Sequence, residues 1–250
     1  MRFHDHFSGH AQGYAEARPR YPDALFSWLA ALAPARRLAW DAGCGNGQAA
    51  VGLGAHFERV VATDPSHSQV ALAEAHPRVE YRIEPAEDPS LELGSVDLAC
   101  VAQALHWMDL ARLVPALRRA LQPEGVFAAI AYQACSVTPA VDAVFRTLLD
   151  DRLGPWWPPE RVHVDTGYRD LALPIDEVRA PRFAMREAWP LPRFLAYLRS
   201  WSACQRCLRE TGRDEVEALA SAFAEAWGDP ALVREVRWPL VVRAGRLRAG

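Results

Sequence analysis

The chain has 250 residues, half of them hydrophobic and 24% charged, and its formal net charge is −3. This composition predicts a folded protein and gives no basis for non-specific binding to nucleic acid. No apolar run approaches the length of a membrane span, and the first residues lack the apolar core of a signal peptide. Five cysteines, an odd number, indicate a reducing compartment, so we expect a cytoplasmic protein. All 28 basic residues are arginine, which excludes lysine-dependent chemistry.

The first half of the chain alternates apolar runs with helical patterns. Five runs predict strands, at residues 38–41, 59–64, 79–83, 96–101 and 126–132. Helical spacing predicts helices after Pro22, at 48–56, at 66–75 behind an N-cap at Ser66, and at 110–121, followed by a turn at 122–125. This alternation predicts an α/β fold with a doubly wound, mainly parallel sheet and right-handed crossovers.

The alternation stops after residue 132. Helical patterns are present at 139–153, 191–209 and 214–227, an irregular aromatic segment at 154–159, and strand patterns at 178–185 and 238–243. We expect a single domain over residues 1–250 that ends in an antiparallel strand. Residues 134–210 are expected to form a cap insertion over the C-terminal edge of the sheet, where ligands bind in this architecture.

A glycine-rich turn follows the first predicted strand. Gly43, Gly45 and Gly47 alternate after Asp41, which gives G-x-G-x-G in place of the G-x-G-x-x-G of dinucleotide-binding turns. A carboxylate at Asp41 would also repel a pyrophosphate. A cofactor with a cationic amino-acid tail would instead be attracted by this carboxylate. S-adenosylmethionine (SAM) carries an ammonium that Asp41 can attract and a ribose whose hydroxyls Asp64, at the end of the second predicted strand, can bind.

Residues 41–47, Asp-Ala-Gly-Cys-Gly-Asn-Gly, resemble motif I of class I SAM-dependent methyltransferases, which have a Rossmann-like sheet. Other segments look like those of small-molecule enzymes similar to trans-aconitate methyltransferase. These segments are Phe7, Tyr14, Arg18-Pro19 and Tyr21-Pro22, then residues 101–109, 201–203 and 236–240. The resemblance implies that residues 1–22 form an N-terminal lid segment.

The resemblance also implies roles for individual residues. Gly43 and Gly45 are expected to line the amino-acid tail of SAM, and Cys44 and Gly47 of the same motif are also expected to bind the cofactor. The implied neighbours of the ribose and adenine are Asp64, Pro65, Ser66, Ala86 and Glu87. Family members often carry an acidic residue before that alanine; here Pro85 stands there, so Glu87 or the Ala86 backbone is expected to substitute. Gln103 is expected to face the methionine end, His106 and Trp107 the methyl group, and Tyr14 and Arg18 to close over the site.

Several candidate residues have two interpretations. His106 is either a general base or a wall residue beside Trp107. Arg18 either pairs with a carboxylate or lies on the surface. Trp156 and Trp157 either line a substrate pocket or pack the cap onto the sheet. The cations Arg161, His163 and Arg169 either bind an acidic substrate or lie in a solvated loop. The C-x-x-C at Cys204 and Cys207 lacks a second ligand pair and falls in a helical pattern, so structural cysteines are expected and no metal site.

We therefore expect a SAM-dependent methyltransferase that moves a methyl group to an oxygen, such as that of a carboxylate, of a small molecule. The product would be a methyl ester or ether together with S-adenosylhomocysteine. Alternatives are a NAD-type oxidoreductase on the same sheet, a SAM-binding protein without catalysis, and a methyltransferase for protein or RNA. The lack of an excess of basic residues argues against RNA. The sequence gives no indication of oligomeric state.

Overall fold

The structure, a computed structural model, describes residues 19–248. Strands in this part of the chain form one sheet in the order β3-β2-β1-β4-β5-β8-β6, and β7 pairs with the first half of β8. Strands β1 to β5 are parallel, and β8 runs antiparallel to β5. This confirms the expected fold class. The strands are β1 (Leu38–Ala42), β2 (Arg59–Thr63), β3 (Val79–Arg82), β4 (Val96–Ala102), β5 (Leu121–Tyr132), β6 (Ile175–Val178), β7 (Ala184–Trp189) and β8 (Arg234–Leu247).

The helices of the first half connect successive strands, as expected for parallel pairing. Ser66 is the N-cap of α3, as predicted, because its Oγ accepts from the Gln69 amide at 3.4 Å. The helices are α1 (Asp23–Leu32), α2 (Gln48–Gly54), α3 (His67–Ala71), α4 (Leu110–Ala120), α5 (Pro139–Arg146), α6 (Arg161–Asp165), α7 (Leu191–Arg199), α8 (Ser202–Thr211), α9 (Glu215–Ala218) and α10 (Ala220–Trp227). None within residues 19–248 is long and apolar enough to cross a membrane.

Strands β1, β2 and β4 are buried on both faces, which explains their near-continuous apolar sequences. On one face, α1 and α2 pack on the sheet around Phe26 and Leu53. On the other face, α4 packs around Leu117 and Phe127, together with the fully buried Tyr168 from the second half of the chain. The sheet edge that carries the glycine turn is therefore supported from both sides.

A third apolar cluster lies in the second half of the chain. Its aromatic centre is formed by Trp189 of β7, Tyr197 of α7 and Trp238 of β8. The Trp238 indole donates to the Tyr197 hydroxyl at 2.9 Å. A buried hydrogen bond of this kind contributes about 1 kcal/mol beyond the apolar burial. The cluster holds α5, α7 and α10 beside β8.

Some predicted boundaries are wrong. The predicted strand at 178–185 is replaced by two strands, β6 and β7, which both pair with β8. The predicted turn at 122–125 lies inside β5, where the register with β4 shifts between Val96 and Leu98. The predicted helix at 191–209 breaks before Ser202, and that at 214–227 breaks at Leu219. The helix predicted at 139–153 changes at Thr147 into a π-helical turn.

Candidate functional site

The glycine turn after β1 adopts a conformation that requires its glycines. Gly43, Gly45 and Gly47 have φ angles of 71°, 53° and 86°, in the left-handed region that side chains rarely adopt. The amides of Gly43 and Cys44 donate to the Thr63 carbonyl at 2.8 and 3.0 Å, which joins the turn to the end of β2. The buried Cys44 thiol is directed to the Gly45 carbonyl, and burial raises its pKa. These hydrogen bonds fix the conformation of the turn.

The three glycines of the turn differ in how closely other residues approach them. A Cβ at Gly43 would lie 2.7 Å from the Met108 side chain, and one at Gly47 would overlap the Tyr81 ring. At Gly45 the nearest atom is 3.8 Å away. The Gly45 backbone therefore presents an open face that a ligand can approach.

The Asp64 carboxylate organises the end of β2. Its Oδ2 accepts from the Gly45 amide at 2.9 Å, and its Oδ1 accepts from the Ser66 amide at 2.8 Å. Two charge-assisted bonds fix this carboxylate beside the open face of the turn. The neighbouring Pro65 is half-buried.

Asp41, at the centre of this edge, is fully buried. Neither of its carboxylate oxygens has a hydrogen-bond partner among residues 19–248. Burial, and secondly the negative charge of Asp64, raise its pKa from 3.8 to about 7. A buried carboxylate without a partner is costly, so this position is suited to a cationic group.

The predicted adenine side is partly occupied by contacts within the protein. Ala86 is buried, and the Glu87 carboxylate accepts from the Asp109 amide at 3.0 Å. Asp109 in turn caps α4 by accepting from the Ala111 amide. Glu87 therefore supports the loop before α4, and one of its oxygens is already used.

Gln103 lies just beyond β4 in a left-handed conformation with φ of 55°. Its amide donates to the Ile130 carbonyl at 2.7 Å, and its Oε1 accepts from the Tyr132 amide at 2.8 Å. A strained backbone held in place by bonds to β5 is typical of functional positions. Its side chain forms part of the wall of a cavity.

That cavity, about 120 Å³ in volume, lies between the sheet edge and the residues of segment 134–210. It combines residues that follow β4 with residues of α6, α7 and the aromatic segment before α6. Its walls include Gln103, His106, Trp107, Trp157, Arg161 and Tyr197. Trp156 and Trp157 both pack against the third apolar cluster, and Trp157 also lines the cavity.

His106 lies in a short 3₁₀ turn, Leu105–Trp107, at the wall of the cavity. Its ring contacts Trp107, with 4.7 Å between ring centroids. Burial, and secondly the positive charges of His163 and Arg161, lower its pKa from 6.5 to about 3. The imidazole is therefore neutral at physiological pH.

Arg161 is the cation of α6 that reaches the cavity. Its guanidinium lies 3.9 Å from the centre of the Trp157 ring, and its Nε is 3.4 Å from Asp165. Burial lowers its pKa, yet an arginine keeps its charge. His163 and Arg169 are engaged elsewhere: the ring of His163 contacts Asp170, and Arg169 donates to the Thr166 carbonyl.

The structure thus brings together the motif I glycines, Asp41, Asp64, Gln103 and His106 along one sheet edge. The predicted lid residues Tyr14 and Arg18 lie outside the described residues. Sequence reasoning missed Tyr168, whose hydroxyl is 3.1 Å from His106 Nδ1. Their separation of 62 residues leaves no local sequence signal for that contact. Cys204 and Cys207 are buried on α8, and no group of three or more metal-ligating side chains occurs in residues 19–248.

Comparisons with known proteins agree with this geometry. Residues 40–129 match the family model described as a methyltransferase domain. The chain is 30% identical over 251 residues to a Dictyostelium discoideum protein named as a methyltransferase, covering 96% of this chain and 94% of that protein. A solved Anaeromyxobacter dehalogenans structure, described as a type II methyltransferase, is 50% identical, with a TM-score of 0.87 over 92% of this chain and 97% of that one. A Saccharomyces cerevisiae protein named a probable S-adenosylmethionine-dependent methyltransferase is 32% identical over 124 residues, which cover 46% of this chain and 43% of that protein.

Proposed function

This chain belongs to the class I SAM-dependent methyltransferases, and we propose that it transfers the methyl group to a carboxylate oxygen of a small molecule. The observation that carries the proposal is the position of Arg161. Its largely buried guanidinium forms part of the same cavity wall as Gln103 and His106. A buried cation is stabilised by an anion, and a guanidinium binds a carboxylate through two parallel hydrogen bonds.

The residues at the sheet edge fit SAM. The unpartnered carboxylate of Asp41 is suited to the ammonium, and the open backbone at Gly45 is suited to the amino-acid tail beside Gly43. Asp64 lies where it can accept from the ribose hydroxyls, with Pro65, Ser66 and Ala86 around the adenine. When bound, SAM supplies an electrophilic methyl group.

The contacts of Arg161 leave room for a substrate anion. Trp157 covers one face of the guanidinium. Among residues 19–248 its ion-pair partner is Asp165, which approaches Nε at 3.4 Å, so the terminal nitrogens are available to a ligand. Asp150 is a second negative charge near the guanidinium. The carboxylate of Asp165 is mostly exposed, so it neutralises Arg161 only weakly. Stacking on Trp157 also fixes the plane of the guanidinium, which lowers the entropic cost of binding a carboxylate.

In the proposed reaction the protein acts chiefly by positioning. Arg161 binds the substrate, Gln103 and His106 orient the reacting oxygen, and the aromatic walls of the cavity exclude water. A carboxylate is already ionised near neutral pH, so no base is needed to create the nucleophile. The cavity volume of about 120 Å³ favours a small molecule over a protein segment or RNA.

The proposal is tested by incubating the protein with SAM and a panel of small mono-, di- and tricarboxylates. The panel includes trans-aconitate, because residues 101–109 resemble that subgroup. Mass spectrometry should detect a methyl ester and S-adenosylhomocysteine, and mild alkali should remove the added methyl. Methylation confined to amines, thiols or phenols would contradict the proposal, and tight SAM binding without transfer would favour a non-catalytic protein.

Arg161→Met tests the anchor itself. We expect KM for the carboxylate to rise about 100-fold, because two charge-assisted hydrogen bonds are lost. Arg169→Met is the matched control: this exposed arginine of the same segment donates to the Thr166 carbonyl, so its removal should leave KM unchanged. An equal effect of both variants would contradict the role of Arg161.

A further inference from the structure

Tyr168 holds a fixed position behind His106. It is fully buried and adopts a left-handed φ of 58°, unusual for an aromatic residue. Its amide donates to the His163 carbonyl at 2.7 Å, and its own carbonyl accepts from Arg243 of β8. The two aromatic rings lie nearly parallel, 6.2 Å apart, and the Tyr168 hydroxyl is 3.1 Å from His106 Nδ1. The strained backbone of Tyr168 is held by hydrogen bonds on both sides, and it therefore fixes the Tyr168 hydroxyl next to Nδ1 of His106.

The surroundings of the hydroxyl decide the direction of this hydrogen bond. Burial raises the pKa of the phenol, which therefore keeps its proton. Among residues 19–248, Nδ1 of His106 is the one hydrogen-bond partner of this buried hydroxyl. A buried hydroxyl proton without an acceptor is costly, so the phenol donates to Nδ1. The ring hydrogen of a neutral His106 is then on Nε2.

His106 has little capacity to become an imidazolium. Burial disfavours the charge, and the neighbouring His163 and Arg161 of α6 lower the pKa of the ring further. Among the described residues, the aromatic contacts of the ring are with Trp107 and Tyr168, which bring no negative charge. A nitrogen that already carries hydrogen, in a ring that resists protonation, is a hydrogen-bond donor and a poor base.

We propose that Tyr168 is a positioning residue that holds His106 as the neutral Nε2–H tautomer, and that His106 donates this hydrogen to the substrate carboxylate. The inference rests on the proposed carboxylate acceptor. One carboxylate oxygen forms the new bond to the methyl carbon, the methyl–sulfur bond breaks, and its electron pair stays on sulfur, which loses its positive charge. No proton is transferred in this step.

The donor role narrows the substrate class. Carboxylic acids with a pKa below about 5 are already ionised near neutral pH. They therefore enter the site as nucleophiles and accept a hydrogen bond from Nε2. Alcohols and phenols must lose a proton on reaction, and His106 held in this tautomer cannot accept it. The site therefore selects carboxylic acids by chemistry as well as by the charge of Arg161.

The tautomer is measured directly, without substrate or SAM. Nitrogen-15 NMR of the imidazoles at pH 7 should show His106 with a protonated Nε2 and a bare Nδ1, assigned by the loss of that signal in His106→Gln. Tyr168→Phe should remove the preference for this tautomer. A wild-type signal from Nδ1–H, or from an imidazolium, would overturn the proposal even if the Tyr168 variant fails to fold.

Activity gives the second measurement. His106→Gln retains an N–H donor near the Nε2 position, so kcat/KM should stay within about 10-fold of wild type, whereas His106→Ala should lose about 100-fold. Folded variants with equally large losses would contradict the donor role. Absence of ester formation with any acid contradicts the proposed function, whereas the NMR result alone decides the positioning by Tyr168.

Discussion

The carboxylate of Asp64, at the end of β2, accepts a hydrogen bond from the backbone amide of Gly45 at 2.9 Å. This bond connects two neighbouring parallel strands at the edge where the glycine turn lies. One side chain therefore shapes the turn and, in the proposed function, also accepts from the ribose.

Asp64→Ala should weaken SAM binding by about 3 kcal/mol, because two hydrogen bonds from the ribose to a charged acceptor are lost. Titration calorimetry measures this directly. Asp88→Ala is the control: this carboxylate is exposed and lies 3.7 Å from Arg119, so its removal should leave SAM affinity unchanged. Unchanged affinity in the Asp64 variant would show that the ribose is held elsewhere.

Asp41→Asn should stabilise the protein in the absence of SAM. The unfolded carboxylate titrates near 3.8 and the folded one at about 7, so the folded state binds an extra proton between these values. Stability is therefore lost as the pH rises from 3.8 to 7, and the neutral amide avoids this loss. At pH 8 we expect a gain on the order of 3 kcal/mol in the free energy of unfolding, measured with urea.

The gain in the free energy of unfolding of Asp41→Asn should itself depend on pH, which provides an internal control. It should shrink as the pH falls from 7 towards 4, because wild-type Asp41 then becomes neutral in the folded protein. The same variant should bind SAM at least 10-fold more weakly at pH 8, since the ammonium loses its counter-ion. A variant that is less stable than wild type at pH 8 would contradict the assignment of a costly buried charge.

The strands and helices in the first half of the chain were predictable because each is indicated by the sequence pattern of its own residues. Strands β1, β2 and β4 are mostly apolar runs, and the glycine spacing together with Asp41 and Asp64 predicted a SAM site at the adjoining edge of the sheet. The strands β6 and β7 were not resolved from each other, because both depend on pairing with β8 and not on their own periodicity. Segment 179–183 between them contains a proline and belongs to neither strand.

The other side of the site depends on contacts between distant segments. Arg161 was one of three candidate cations, and only the fold shows that it alone of these reaches the cavity among the described residues. The partner of His106 comes from a loop 62 residues away, in a backbone conformation that no propensity predicts for tyrosine. The sequence therefore allowed more specific predictions for the cofactor side than for the substrate side.

Gly47→Ala should destabilise the protein for two reasons, backbone strain and overlap. The residue has φ of 86°, and an added Cβ would lie 2.8 Å from Tyr81 Cζ and closer still to the hydroxyl. We expect a loss of about 2–3 kcal/mol in the free energy of unfolding. Gly94→Ala is the matched control, with a φ of 62° and open space, and should cost about 1 kcal/mol from strain alone. Equal losses would show that Tyr81 moves aside freely.

His106 should make the stability of the protein decrease in mild acid. The unfolded imidazole binds a proton below pH 6.5, whereas the folded one stays neutral down to about pH 3, because burial and the neighbouring cations His163 and Arg161 oppose the charge. The unfolded state therefore gains protons first, and stability present above pH 6.5 is lost as the pH falls towards 3. Between pH 7 and pH 5 this one group should lower the free energy of unfolding by about 2 kcal/mol.

Urea unfolding at both pH values measures the loss. The variant His106→Gln supplies the reference, since all other titrating groups remain. The difference between wild type and variant should change by that amount over this interval, and a constant difference would mean that His106 is protonated in the folded protein as readily as in the unfolded chain.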